Sequence, residues 1–158
     1  MLGGSSASTS KSSRRASRGT RCRPSGTPPD TARRADACEG WFIDRDGFIT
    51  EGSSTSAWIV DKDGNIVTRD LSNAILPGVT RREILDAAAE AQIAIVERKF
   101  TPAEALAAKE AFMTAATLGA TAIVSIDGHK IGDGKPGPLT RRLQELYLRR
   151  AEKLAAAT

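Results

Sequence analysis

Three stretches of this 158-residue chain carry side chains whose types and spacing point to chemistry. Glu51 is followed by Gly-Ser-Ser on a short polar stretch between two apolar runs. A carboxylate there is either a solvated loop acid or one of a set of groups that could hold a cofactor. The second stretch is Asn73-Ala-Ile-Leu-Pro-Gly-Val-Thr80-Arg-Arg-Glu83. An apolar run closes on Pro77-Gly78, and Thr80 then takes an N-cap position with Glu83 three residues on, predicting a Thr-x-x-Glu capping box. A loop narrowing into a helix start with a hydroxyl at its mouth is also an anion site, because free N–H groups and the helix dipole face outward. The third stretch, Gly128–Lys135, resembles a phosphate loop only superficially. Its spacing is one residue too long, and Pro136 stands where a magnesium-binding Ser or Thr is required.

Other chemistries find no support. His129 is the single histidine and falls in a turn, so no Ser/His/Asp set forms around it. Cys22 and Cys38 show neither metal-ligand spacing nor a disulfide framework. Cys38 has no basic neighbour that would activate a thiol. A reduced, cytoplasmic setting is expected. No apolar run reaches the length of a membrane span, so no membrane partner is expected.

These residues need elements to hold them. Trp41–Ile43 and Phe48–Thr50 flank Asp44-Arg-Asp-Gly47, and Ser56–Val60 and Asn65–Thr68 flank Asp61-Lys-Asp-Gly64. Both read as hairpins with Asp-Gly turns. Helical spacing of Ile84, Leu85, Ala88 and Ala91 predicts a helix over 80–92. A strand is expected within 93–100. Thr101-Pro102-Ala-Glu104 predicts a capped helix reaching about Lys109. Strands are expected at 111–114 and 121–126, joined by an Ala115–Gly119 loop, then a turn at Asp127-Gly128. A rigid Gly132–Pro138 loop leads into a long amphipathic helix over 139–157. Early hairpins followed by β–α alternation predict a mixed α/β (α+β) fold.

Charge divides the chain. Residues 1–40 hold eight Lys/Arg against three Asp/Glu, and residues 41–158 fifteen against sixteen. The body is therefore nearly neutral, and a nucleic-acid surface on it is not expected. Residues 1–34, rich in Arg and Ser, hold too little apolar surface to offset their ordering entropy and are expected to be disordered. Such a leader fits a transit peptide, a phosphate-binding basic tail, or a shifted frame or misassigned start; the last is preferred.

Trp41-Phe-Ile-Asp-Arg-Asp-Gly-Phe-Ile-Thr-Glu-Gly-Ser-Ser-Thr-Ser-Ala-Trp-Ile-Val60 closely resembles the central motif of the class IV pyridoxal-phosphate aminotransferases. Within them it is most similar to the D-amino-acid transaminases. Asn73–Arg81 and Ile126–Pro138 follow in that family's order and spacing. The resemblance spans roughly 35–152 and marks 35–158 as the C-terminal large domain of the fold-type-IV fold.

The resemblance implies pyridoxal 5′-phosphate as cofactor, an amino acid and a 2-oxo acid as substrates, and a family that is typically homodimeric. It implies that Glu51 pairs with the pyridine nitrogen, keeping it protonated so that the ring draws electrons from the substrate. Val79 and Thr80 would bind the phosphate, Leu76 would pack on the ring, and Ala115, Ala116 and Thr117 would close on the phosphate from another side. The family's Schiff-base lysine lies about thirty residues before the glutamate. No lysine lies between Lys11 and Lys62 here, so the chain is expected to be truncated and inactive alone. Branched-chain transaminases and aminodeoxychorismate lyases share the Glu51 and Thr80 motifs. In another class stands a non-catalytic binding module with a basic nucleic-acid-binding tail.

Overall fold

The computed structural model describes residues 15–16, 20–22, 40–52, 54–72, 75 and 77–157. Its middle is a mixed sheet built outward from β5 (Ser56–Val60), in which Ala57, Trp58, Ile59 and Val60 are all buried. A strand buried at four successive positions requires cover on both faces, and β5 has it. On one side it pairs antiparallel with β8 (Glu110–Ala115), which pairs in turn with β9 (Gly119–Ile126). On the other side it pairs with β6 (Ile66–Thr68) and, at its beginning, with β4 (Ile49–Gly52).

Two hairpins use one local device. In the first, β3 (Trp41–Ile43) turns into β4; in the second, β5 turns into β6. Asp44 accepts hydrogen bonds from the Asp46 and Phe48 N–H groups at 3.0 and 2.9 Å, and Asp61 does the same with Asp63 and Asn65. The glycine closing each turn has a positive φ, +88° at Gly47 and +89° at Gly64. That conformation is strained for any residue with a Cβ. Burial works to raise the Asp44 pKa. The Phe48 and Asp46 N–H groups and the Arg69 guanidinium, 3.0 Å away, outweigh it and hold the carboxyl below its usual range. The β9–β10 turn is of the other kind expected for Asp-Gly. Asp127 and Gly128 both take positive φ, 50° and 80°, before β10 (His129–Lys130).

After β6 the chain crosses through α1 (Val79–Glu90) to β7 (Ile95–Glu97), which lies parallel to β6. The long connection is what a parallel pair needs. Helix α1 is two residues shorter at its C-terminal end than its spacing predicts. Gln92 adopts φ 58° and Ile93 N–H turns back to the Ala88 carbonyl, ending the helix. The strand expected within 93–100 is confined to β7, after which Arg98 N–H bonds to the Thr68 carbonyl. Helix α2 (Pro102–Ala107) carries the reciprocal Thr101–Glu104 capping box with Pro102 at its start, as its sequence predicts. Helix α3 (Pro138–Ala156) closes the chain.

The two faces of the sheet take alternate residues. Trp58, Val60, Ile66, Phe112 and Ala120 pack with Ile84 and Ala88 of α1 and Leu143 of α3. Ala57, Ile59, Val67, Ala111, Met113 and Ile123 pack with Trp41, Phe100, Ala105 and Ile131. Period-two alternation thus feeds two cores, and a register slip of one residue in β5 would exchange them. Trp58 and Phe112 sit opposite each other and stack at 5.5 Å between ring centroids. Burial of each ring stabilises the fold by roughly 2–3 kcal/mol.

Part of the leader takes regular form. β1 (Arg15–Ala16) pairs with β3, and β2 (Thr20–Cys22) pairs with β9. An exposed strand edge recruits backbone through its free N–H and C=O groups whatever the side chains are, so apolar content was a poor guide there. The rest of the predicted disorder at 1–34, together with Cys38 and Leu76, lies outside the described residues. Among the described residues no helix is long and apolar enough to cross a membrane.

Candidate functional site

Three chain segments meet at the end of the sheet where β5 begins. Register aligns Glu51 of β4 with Ser56 of β5, and Ser56 with Thr114 of β8. Adjacent strands lie about 4.8 Å apart, so the three side chains form one short row across the sheet. The start of α1 sits over this row. A Cβ added at Gly78 would come 3.9 Å from the Ser56 hydroxyl oxygen. Together these segments enclose a cavity of about 310 Å³. Its walls are Glu51 and Gly52, the Ser54–Ser56 turn, Gly78–Arg81, and Thr114–Ala116.

The helix start is unusual. Gly78 is the N-cap, with φ −70° and ψ 140°, and no side chain among the described residues caps it. The predicted Thr80–Glu83 capping box is therefore absent. Helical geometry begins at Val79, which leaves Thr80 inside the first turn. Glu83 is drawn instead to Arg150 of α3, 2.7 Å away, and that guanidinium also engages Asp86 and Glu90. Packing of α3 on α1 thus takes the acid a local capping box would use. The Glu83 and Glu90 carboxylates raise the Arg150 pKa above its ordinary value.

Arg82 is the first residue of α1 whose N–H returns to the helix, bonding to the Gly78 carbonyl at 3.1 Å. The N–H groups of Val79, Thr80 and Arg81 precede it, and all three residues line the cavity. Val79 turns its side chain to solvent at 79% exposure, whereas Thr80 is buried at 7%. At the opposite wall, Thr114 Oγ1 accepts a hydrogen bond from Trp58 Nε1 at 2.9 Å. The hydroxyl is thereby fixed by the core and keeps its own proton as a donor. Glu51 faces the same space from β4. One end of the site therefore offers donors and a positive dipole, and another a carboxylate.

Of the residues singled out in the sequence, Glu51, Val79, Thr80, Ala115 and Ala116 are brought to this cavity. Thr117 is exposed and lies one residue past its lip, because the turn before β9 carries it outward. Leu76 falls outside the described residues. The Gly132–Pro138 loop contributes nothing to the cavity wall. Sequence reasoning overlooked Arg81, which is 3% exposed. Its spacing of three and seven residues from Ile84 and Ala88 was the available signal, since it places the arginine on the apolar face. It also overlooked Ser56, whose role depends on strand register alone.

The family model described as Amino-transferase class IV matches residues 25–126. The chain is 39% identical over 113 residues to a D-alanine aminotransferase from Bacillus licheniformis, covering 72% of this chain and 39% of that protein. It is 41% identical over 111 residues to a branched-chain-amino-acid aminotransferase from Pseudomonas aeruginosa, covering 70% and 36%. Among solved structures, the fold is similar to the PLP-form (holo-form) of the branched-chain amino acid aminotransferase from Thermobaculum terrenum. That match has a TM-score of 0.66 and 31% identity, and covers 75% of this chain and 38% of that one. The Escherichia coli branched-chain enzyme gives a TM-score of 0.66 at 29% identity, over 79% of this chain and 47% of that one. The chain thus spans well under half the length of the curated relatives it matches.

Proposed function

The chain belongs to the class IV aminotransferases, and from that premise we propose that its cavity is a pyridoxal 5′-phosphate site serving amino-group transfer from an amino acid to a 2-oxo acid. The observation that carries this reading is the meeting of Glu51 with the uncapped start of α1 in one cavity. The cofactor is a phosphate joined to a pyridine, and the cavity holds a partner for each. Three N–H groups and the Thr80 hydroxyl suit a phosphate, and the Glu51 carboxylate suits a protonated ring nitrogen. The Nε of Arg81 is buried and without a hydrogen-bond partner among the described residues, which supports an anion at this site.

When bound, the cofactor supplies an electron-withdrawing ring that stabilises negative charge at the substrate's α-carbon. Glu51 holds the proton at the ring nitrogen, because a carboxylate beside it favours the charged form. The N–H groups at the start of α1, with Thr80, bind and orient the phosphate. Trp58 keeps the Thr114 hydroxyl turned to the site, while Ala115 and Ala116 offer backbone there in place of side-chain hydroxyls. No lysine lines the cavity among the described residues. The described residues therefore supply the acid that activates the ring and the phosphate cradle, but no lysine to move the α-carbon proton, and on this reading the chain does not turn over alone. The donor is a D-amino acid or a branched-chain amino acid; the two kinds of relative are nearly equally similar.

The test is a binding titration with pyridoxal phosphate on the wild type, Glu51→Gln and Thr80→Val, followed by borohydride reduction and mapping of labelled lysines. Saturable binding that both variants weaken, without a single stoichiometric lysine adduct and without transamination, is expected. Binding indifferent to both substitutions would overturn the site. A unique adduct with turnover would overturn the missing-base reading.

A further inference from the structure

Arg81 is the most deeply buried cation at the cavity. It occupies the third position of α1, is 3% exposed, and lines the cavity alongside Thr80. Its guanidinium is held on three sides. Nη2 donates to the Arg69 carbonyl oxygen at 2.9 Å and to the Glu97 carboxylate, and the group lies 6.0 Å from the centroid of the Trp58 ring. Nε has no partner among the described residues. A buried guanidinium with an unused N–H is costly, and an apolar side chain of similar volume would usually serve packing better. Its counter-charge is also unevenly placed. Glu97 is 45% exposed and half-solvated, whereas Arg81 is enclosed beside the cavity. Water screens the negative member more than the positive one, so positive potential remains at the cavity wall.

Resting on the cofactor-site reading above, we infer that Arg81 supplies the fixed positive charge of the phosphate cradle and sets preference for phosphate-bearing ligands. It acts together with the N–H groups of α1, whose dipole has the same sign at that end. Trp58 joins the two walls, because its ring faces Arg81 while its Nε1 fixes Thr114 on the opposite side. Glu97 tempers the charge from outside.

The test uses two ligands without an aldehyde, 4′-deoxypyridoxine 5′-phosphate and 4′-deoxypyridoxine, which differ only in the phosphate and leave lysines untouched. The readout is the ratio of their dissociation constants. Arg81→Met should lower the phosphate preference by about tenfold, the loss expected for one charge-assisted hydrogen bond, with the phosphate-free ligand unaffected. Glu97→Gln should raise that preference by about two- to threefold, since it removes an opposing charge near the site. A merely structural arginine predicts the reverse pattern, with both ligands weakened equally by Arg81→Met and no gain from Glu97→Gln. Either result overturns the inference. Should Arg81→Met fail to fold, the half-exposed Glu97 decides alone. A wild type without phosphate preference would sink the cofactor site and this inference with it; a strong wild-type preference unmoved by either variant would sink the Arg81 inference only.

Discussion

Gly78 offers a perturbation whose effects on stability and binding have opposite signs. Its φ of −70° and ψ of 140° are ordinary extended values, so any L-residue fits the backbone. An added Cβ would meet the Arg81 Cβ at 3.8 Å and the Ser56 Oγ at 3.9 Å, both normal contacts. In Gly78→Asp the new carboxylate accepts from N–H groups of the first turn of α1, whose residues line the cavity. Capping over glycine is worth a few tenths of a kcal/mol and the dipole term about as much again, together about 0.5–1 kcal/mol. For a domain of this size that raises Tm by about 2–4 °C. The same carboxylate occupies the proposed phosphate donors and places a negative charge within a few ångströms of the anion. Two unit charges at 4 Å repel by about 1 kcal/mol in water and about 4 at a protein surface, so phosphate-ligand affinity should fall by roughly ten- to a thousandfold. Gly78→Ser, which caps without charge, should gain less stability and lose less affinity. The assays are thermal unfolding and a titration with 4′-deoxypyridoxine 5′-phosphate on one preparation. A more stable Gly78→Asp that binds the phosphate ligand as tightly as the wild type would refute the argument that these N–H groups are the anion site. A destabilised one would refute the described helix start.

Three further outcomes concern the scaffold. Glu110, 7% exposed on β8, accepts from Leu139 N–H, Thr140 N–H and Thr140 Oγ1 at 3.1, 2.9 and 2.8 Å, capping α3 from a distant strand. Glu110→Ala should destabilise the fold by about 2–4 kcal/mol in urea unfolding, and Glu110→Gln by clearly less. Gln92→Gly should raise stability by about 0.5–1 kcal/mol, because a left-handed residue with a Cβ costs about 1–2 and glycine's extra chain entropy returns part of it; a loss on thermal unfolding would contradict the assigned helix end. Asp44 and Asp61 are held below the usual carboxylate range, against burial that raises them, chiefly by the N–H groups of Phe48 and Asn65. Depressed folded values mean stability that is present above about pH 4 and lost as pH falls through them. Urea midpoints measured from about pH 6 to about pH 2.5 should therefore drop below about pH 4, and a flat profile would count against these turns.

The Thr80 stretch is legible locally as a helix start, because a Pro-Gly stop before a helical pattern is written in adjacent residues. The role expected of Glu51 came only with the family resemblance, since its neighbours alone favour a solvated loop acid. The hairpins were also locally legible, since Asp-x-Asp-Gly specifies its own turn through side-chain-to-backbone bonds within four residues. The α2 capping box was legible for the same reason. The Thr80 capping box failed although its pattern was as good. Glu104 has Arg98 at 2.9 Å and Thr101 both within reach, and satisfies the two together. Glu83 is pulled by an arginine sixty-seven residues away. Thr117 lies one residue past those that line the cavity, a difference that only the turn before β9 decides.

The sequence by itself determined most element types from Trp41 onward and both Asp-Gly hairpins, because propensity, hydrophobic period and turn chemistry act over a few residues. Only the tertiary structure decided that α1 begins uncapped, that Ser56 and Thr114 stand in one row with Glu51, and that Arg81 is buried beside them. Those facts depend on strand register and on how α3 packs against α1, contacts between residues far apart in the chain. A free helix start is costly in isolation and persists here because the surrounding fold holds it in place. That placement is what the proposed anion site rests on.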